Sequence, residues 1–238
     1  MPSTTIGNKM PWCKSIIIYI NTLLLSYFYI LIVIISFICS LVSFRLLYPF
    51  HLKLFSILLF ITVVTELISN FFLTPLHLNS NYPVYNIFTL IEYPLLGLFF
   101  RIIITNKNFK ILCLAFIIIF PIFWFYIFLF VYKLDEWNSY GIIFGDLFII
   151  TFAARYLYEL FTSNELIQFG KHTEFWISVA LIFYCCCELP ITGILNFWIN
   201  DSKTTLRLLN ILQLLNIAMY SIFIYAFLCP LKATRKKL

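Results

Sequence analysis

Seven apolar runs, each near the roughly 20 residues an α-helix needs to cross a lipid bilayer, fill almost the whole chain. They cover Ser15–Phe44, His51–Thr74, Val84–Thr105, Ile111–Tyr132, Ser139–Phe161, Phe175–Trp198 and Leu206–Cys229. Turn-forming residues punctuate them: Tyr48-Pro49, Thr74-Pro75, Asn79 to Pro83, Asn106 to Asn108, Asn138-Ser139 and Asn200 to Lys203. The chain is 63% hydrophobic and only 11% charged, whereas soluble domains run near half and a quarter. A water-soluble fold has no way to hide that much apolar surface, so lipid is the expected solvent. The runs lack the two-residue alternation of a β-barrel strand. The expected fold class is therefore all-α, a seven-transmembrane helical bundle whose helices satisfy their own backbone groups. No connection is long enough to fold alone, so residues 1–238 read as a single integral membrane domain. The first run has no small-residue cleavage site after a short apolar core, and reads as an anchor rather than a removed signal peptide.

Basic residues set the expected orientation. With the carboxyl terminus in the cytoplasm, the inner side carries Arg45, Lys53, Arg101, Lys107, Lys110, Arg155, Lys171, Lys232, Arg235, Lys236 and Lys237. The outer side then carries Lys9, Lys14, Lys133, Lys203 and Arg207. Eleven against five places the amino terminus outside. The net charge of +6 thus describes topology and calls for no nucleic-acid partner.

Four carboxylic acids fall well inside the spans: Glu66, Glu92, Asp146 and Glu188. Counted from the outer end of each helix, all four lie about 10–15 Å deep. Other polar residues share this layer. Thr62, Glu66 and Asn70 recur on one face of span two, and Tyr184, Glu188, Thr192 and Asn196 do so on span six. Gln213, Asn216 and Tyr220 line one face of span seven, and Asn86, Thr89 and Tyr93 flank Glu92 on span three. Lipid offers such groups no partner, so they are expected to turn inward around a polar cavity in the outer half of the bundle. Arg155 can snorkel to the inner surface, and only Arg207 stands where it can lean toward an acid. Buried acids that lack cations repel one another and lose solvation. Such a pocket holds neutral acids or takes up a positive ligand. Glu92-Tyr93-Pro94 and Glu188-Leu189-Pro190 add a proline after an acid, which leaves the carbonyls of Leu90 and Cys186 without their helical donor.

A plainer reading makes the amides and hydroxyls interhelical fasteners, each contributing about 0.6–2 kcal/mol. The seven cysteines have no metal or redox spacing and read as small buried side chains. His51, His77 and His172 fall at helix ends, with His77 on the opposite side from the others, so no metal site is expected. Span seven has no lysine for a retinal Schiff base, and neither a Gly-x-Ser-x-Gly motif nor an Asp-rich diphosphate motif occurs. No cofactor is expected. Trp12, Trp137 and Trp198 near outer ends, with Trp176 near an inner one, fit an interfacial belt.

Two resemblances add to this reading. With "TELISN" on span two and "YNIFTLIEY" on span three, the layout resembles the small seven-helix sensory modules of bacterial signalling systems. That resemblance implies ligand sensing through Glu66, Asn86 and Glu92, with output through a partner. The stretch "TELISNFFLTP" is also similar in arrangement to the second helix of the seven-helix membrane terpene cyclases. In that family an acid here and an aspartate on helix seven protonate an epoxide or alkene. Glu66 matches the first acid. Span seven carries Asn216 and no acid, so Glu92 or Glu188 would have to stand in.

The sequence therefore leads to a multi-pass protein of a cell membrane, with the bacterial cytoplasmic membrane expected. It reads as a receptor or sensor-like module with a cytoplasmic or membrane signalling partner. The expected binding residues for a small amphiphilic or cationic ligand are Glu66, Asn70, Asn86, Glu92, Asp146, Glu188 and Asn216. An intramembrane enzyme acting through Glu66 or Glu188 on an isoprenoid or lipid is the alternative, followed by a cation- or proton-coupled transporter. The charge asymmetry predicts that a fluorescent protein fused to the carboxyl terminus matures in the cytoplasm, while an amino-terminal tag is accessible to protease on intact cells. The reverse pattern would invert the orientation.

Overall fold

Lipid leaves each backbone N–H and C=O only its own helix as a partner, and every apolar run accordingly becomes a helix. The computed structural model describes the backbone of residues 11–47, 49–73, 81–163, 172–198 and 202–235, and the side chains of 24–43, 49–70, 81–163, 172–195 and 204–229. Among these residues the elements are α1 (Pro11–Leu47), α2 (Phe50–Leu67), a π-helical stretch (Ile68–Leu73), α3 (Tyr82–Ile103), α4 (Lys107–Phe130), α5 (Ser139–Thr162), α6 (Thr173–Trp198) and α7 (Ser202–Arg235). All seven α-helices are long and apolar enough to cross a membrane. Each exposes large apolar side chains, among them Leu31, Phe60, Ile87, Leu129, Tyr158, Phe183 and Leu214. The protein is all-helical and of multi-pass membrane type.

Local chemistry sets the helix ends. Helix α4 begins four residues before the apolar run expected at Ile111, because the Asn106 side chain accepts hydrogen bonds from the Asn108 and Phe109 amides at 3.0 and 3.2 Å. Asn138 does the same for α5 through the Gly141 amide at 2.9 Å. Helix α3 opens with Pro83 in its first turn, where a missing N–H costs nothing. It stops before Thr105, whose N–H and hydroxyl both donate to Glu159, at 2.6 and 2.7 Å. The span expected to run unbroken from His51 to Thr74 instead changes winding at Ile68, and Thr74 lies outside the described residues.

Short connections run consecutive helices antiparallel. One end of the bundle carries the α2–α3, α4–α5 and α6–α7 connections. The other, called here the α3–α4 end, carries the rest. Helix α1 packs on α2 and on α7, which closes a ring through α3, α5 and α6. Helix α4 stands outside it, against α3 and α5, with α3 touching α5 behind it. A single stripe of α4 is buried, Cys113, Phe116, Phe120, Trp124 and Ile127, and its opposite face is left to lipid. Ser36, Ser40 and Ser43 of α1 are fully buried. Ser43 donates to the Phe227 carbonyl of α7 at 2.9 Å, so small side chains bring these two helices close.

The half of the ring nearest the α3–α4 end is filled by aromatic rings. Phe55 lies 5.5, 5.0 and 6.1 Å from Phe99, Phe223 and Phe227 between ring centres. Phe99 continues to Phe100 at 5.2 Å and Phe100 to Phe152 at 6.4 Å. At this end His51 meets Glu174 at 2.7 Å. Arg155, expected to reach toward the inner surface, has an ion partner near the end of its helix. It pairs with Glu159 at 3.0 Å and lies over the rings of Phe109 and Tyr158, because Glu159 is held in place by the Thr105 and Asn106 backbone.

Two glycines test this packing in opposite directions. A Cβ on Gly145 of α5 would overlap the ring of Tyr93, which is buried and tied to α5 by its hydroxyl. Gly145→Ala is expected to destabilise by about 1–3 kcal/mol. A Cβ on Gly193 of α6 meets nothing within 4 Å, so Gly193→Ala should leave stability unchanged or raise it by up to about 1 kcal/mol. Thermal unfolding of the two variants in one detergent checks both signs.

Candidate functional site

A cavity of about 350 Å³ lies within the ring. Six helices build its wall: Tyr29 comes from α1, Thr62 and Glu66 from α2, Glu92 from α3, Asp146 from α5, Glu188 from α6 and Asn216 from α7. Helix α4 contributes no lining residue. Trp137 of the α4–α5 connection, Tyr85 near the start of α3 and Leu206 near the start of α7 also line the space, which sets it toward the end opposite the phenylalanine cluster. Leu96 and Leu181 lie deepest along their helices and close it below. Among the described residues no Lys, Arg or His lines the cavity. Arg207 is exposed and takes no part, and the Lys203 side chain lies outside the described residues.

The four acids have different surroundings. Glu66 is buried and accepts three hydrogen bonds, from the Tyr29 hydroxyl at 2.9 Å, the Tyr85 hydroxyl at 3.2 Å and the Asn70 side-chain amide at 3.2 Å. Its oxygens tie α1, α2 and α3 together. Asn70 does not line the cavity. It also donates to the Glu66 carbonyl at 2.9 Å, at the point where the winding changes, and so fixes the acid's own helix.

Glu92, Asp146 and Glu188 form a second group, close enough to act on one another electrostatically. Asp146 is 1% exposed. One of its oxygens accepts from the Tyr93 hydroxyl at 2.9 Å. The other, Oδ2, is buried without a hydrogen-bond partner, beside the Cys185 thiol. Glu188 is also buried, with the Tyr184 hydroxyl one turn back along α6 as its neighbour. Tyr184 in turn accepts from the Asn216 amide of α7 at 3.2 Å. Among the described residues these three acids have fewer donors than Glu66, although Asp146 and Glu188 are as buried as Glu66 and Glu92 is half-buried.

The polar residues expected from the sequence divide by role. Asn86 lines the cavity, yet its amide nitrogen is committed to the Leu134 and Glu136 carbonyls at 2.8 Å each, pinning the α4–α5 connection. Its own carbonyl accepts from the Trp124 indole of α4 at 3.0 Å. Gln213, Asn216 and Tyr220 line the wall together. Thr192 is buried but turned away from the space, and Asn196 lies outside the described side chains. Trp137, expected in a membrane-interface belt, instead lines the cavity and meets the Tyr82 ring at 5.7 Å. The sequence reading missed Tyr29, Tyr85 and Asn210. Tyr85 stands one position before Asn86 on the same polar approach to Glu92, a signal that was present. Tyr29, one of three tyrosines in the apolar run of α1, gave none.

No family model, characterised protein or solved structure matches the chain. The two resemblances rest on the residues quoted for them, and the geometry changes the weight on one of those residues. Three donors already occupy the Glu66 carboxylate, so a proton donor in this cavity is better sought at Glu188 or Glu92.

Removing a donor from Glu66 leaves a buried acceptor short of its partner, at a cost of about 1–3 kcal/mol. Tyr29→Phe and Tyr85→Phe are each expected to lower thermal stability on this scale. Because both act on one carboxylate, the double variant should depart from the sum of the singles. Additive losses would show that the two hydroxyls do not share an acceptor.

Proposed function

We propose that this chain is a ligand-binding membrane module of receptor or sensor type. The amino terminus lies outside, the carboxyl terminus lies in the cytoplasm, and the cavity is presented to the non-cytoplasmic side of a cell membrane. One observation carries the reading: carboxyl groups from four separate helices surround one cavity that no basic side chain among the described residues lines. Packing alone does not call for carboxylates, because neutral amides fasten helices at lower desolvation cost. The excess of basic residues on the side of the carboxyl terminus supports the orientation. A ligand that touches several helices binds some of their arrangements better than others, and that difference is what shifts a conformational equilibrium. The connections at the α3–α4 end and the segment "LKATRKKL" are the surfaces from which a partner would read the shift.

One observation favours a second reading, an intramembrane enzyme. Glu92 and Glu188 line the same cavity, an arrangement in which one acid can hold a proton for transfer to an isoprenoid or lipid. Membranes containing this protein alone would then form product, and Glu188→Gln would abolish turnover. Transport is the least supported reading, since the packed rings from Phe55 to Phe152 leave the cavity no wet path onward.

A thermal-stability screen of the purified protein tests the principal reading. A true ligand at a hundred times its dissociation constant stabilises by about 2.7 kcal/mol. It should raise the melting temperature of the wild type and do so less in Glu92→Gln and Glu188→Gln. A compound that stabilises all three proteins equally binds elsewhere, and a screen containing only such compounds would defeat the reading.

A further inference from the structure

We infer that the cavity takes a protonated amine, an organic ammonium with at least one N–H, whose head lies among Glu92, Asp146 and Glu188 and whose carbon skeleton lies against Tyr93, Tyr184 and Tyr220. The inference rests on the reading of this cavity as a ligand site and names the ligand's class.

Three features of the wall select this chemistry. The first is sign: three carboxyls that line one cavity, with no cation among its described lining residues, repel an anion and attract a positive head. The second is the Oδ2 atom of Asp146, buried and outside hydrogen-bonding geometry with any strong donor, with only the weak donor of the Cys185 thiol beside it. A buried carboxylate oxygen with only a weak thiol donor beside it favours a stronger donor, since leaving it poorly paired is costly. A primary ammonium brings three N–H donors to three carboxyl groups. A quaternary ammonium brings charge but no donor, and a neutral apolar molecule brings neither. The third is spacing. Among the described residues, no three His, Cys, Asp or Glu side chains converge closely enough to hold a metal ion. Metal–oxygen bonds of about 2.0–2.6 Å require a tighter cluster than N–H···O contacts of about 2.7–2.9 Å, so the lack of a metal-holding cluster favours an ammonium over a metal ion as the positive group.

The remaining wall fits an organic body. Tyr93, Tyr184 and Tyr220 all line the space, and aromatic faces attract a cation held over them. The volume of about 350 Å³ falls at the small end of sites for organic ligands. Glu66 belongs to a different part of the wall, and its donors are already supplied by the protein.

Calorimetric titration of the purified full-length chain in detergent tests this with n-butylamine, putrescine and 2-phenylethylamine as probes. Trimethyl(2-phenylethyl)ammonium, 2-phenylethanol and phenylacetate serve as matched controls. At least one amine should bind saturably. The quaternary analogue, the alcohol and the acid should each bind at least about tenfold more weakly than 2-phenylethylamine or not at all, the scale of a lost charged hydrogen bond. Asp146→Asn and Glu188→Gln should weaken the amine by a similar factor. If Asp146→Asn does not fold, the comparison of amine with quaternary analogue on the wild type decides alone. Equal binding of the quaternary analogue or the alcohol, or no binding by any of the three amines, overturns the inference. A compound of another class that binds the wild type and loses affinity in Glu92→Gln and Glu188→Gln overturns it while leaving the ligand-site reading intact. Failure of every class of compound would end both.

Discussion

A carboxyl group in the apolar part of a membrane has nowhere to find a partner except in the protein around it, and the arrangement of this molecule follows from how that demand is met. Glu66 is met in full: two tyrosine hydroxyls and an amide from three positions converge on it, and the junction of α1, α2 and α3 is built around the result. Glu92, Asp146 and Glu188 are met in part. They stand at similar depth on α3, α5 and α6, with one tyrosine hydroxyl bonded to Asp146 and another beside Glu188. The contrast within a single cavity is between an acid whose oxygens are fully supplied with donors and acids whose oxygens are supplied only in part.

The ring of six helices gives this polar space its enclosure, and α4 shows what is not needed for it. Its buried stripe braces α3 and α5 from behind, yet it sends the chain over the cavity through the α4–α5 connection. Asn86 holds that connection by two carbonyls and holds α4 by the Trp124 indole. A residue expected to bind a ligand thus spends its donors on the strap that carries Trp137 to the wall. Both roles call for a buried amide, and spacing along a helix does not distinguish them.

What the sequence revealed depended on how strongly each signal is tied to a physical necessity. Spans of about twenty apolar residues admit one solution in lipid, and all seven were legible. Start positions were less so, because Asn106 draws α4 back into a polar stretch that hydropathy alone assigns to a loop. Face assignments held over one turn and drifted over two. Steps of four residues advance about 40° beyond a full turn, so Tyr184 and Glu188 reach the wall while Thr192, on the same nominal stripe, does not. Tyr29 was invisible because a tyrosine among leucines and isoleucines reads as membrane filler until its hydroxyl is seen to end on Glu66. The change of winding after Leu67 has no marker in the sequence that we can identify.

The aromatic fill beneath the cavity has a consequence for anything that must reach the far side of the molecule. Tyr29 lies 6.2 Å from Tyr220, Tyr220 lies 5.6 Å from Phe223, and Phe223 lies 5.0 Å from Phe55. This is a continuous stack that starts in the polar chamber and ends beside the α1–α2 connection. Close-packed rings do not compress, and they carry no protons or ions. A shift of α7 beside the cavity would therefore press on α2 directly through the Phe223–Phe55 contact, a mechanical rather than an ionic coupling.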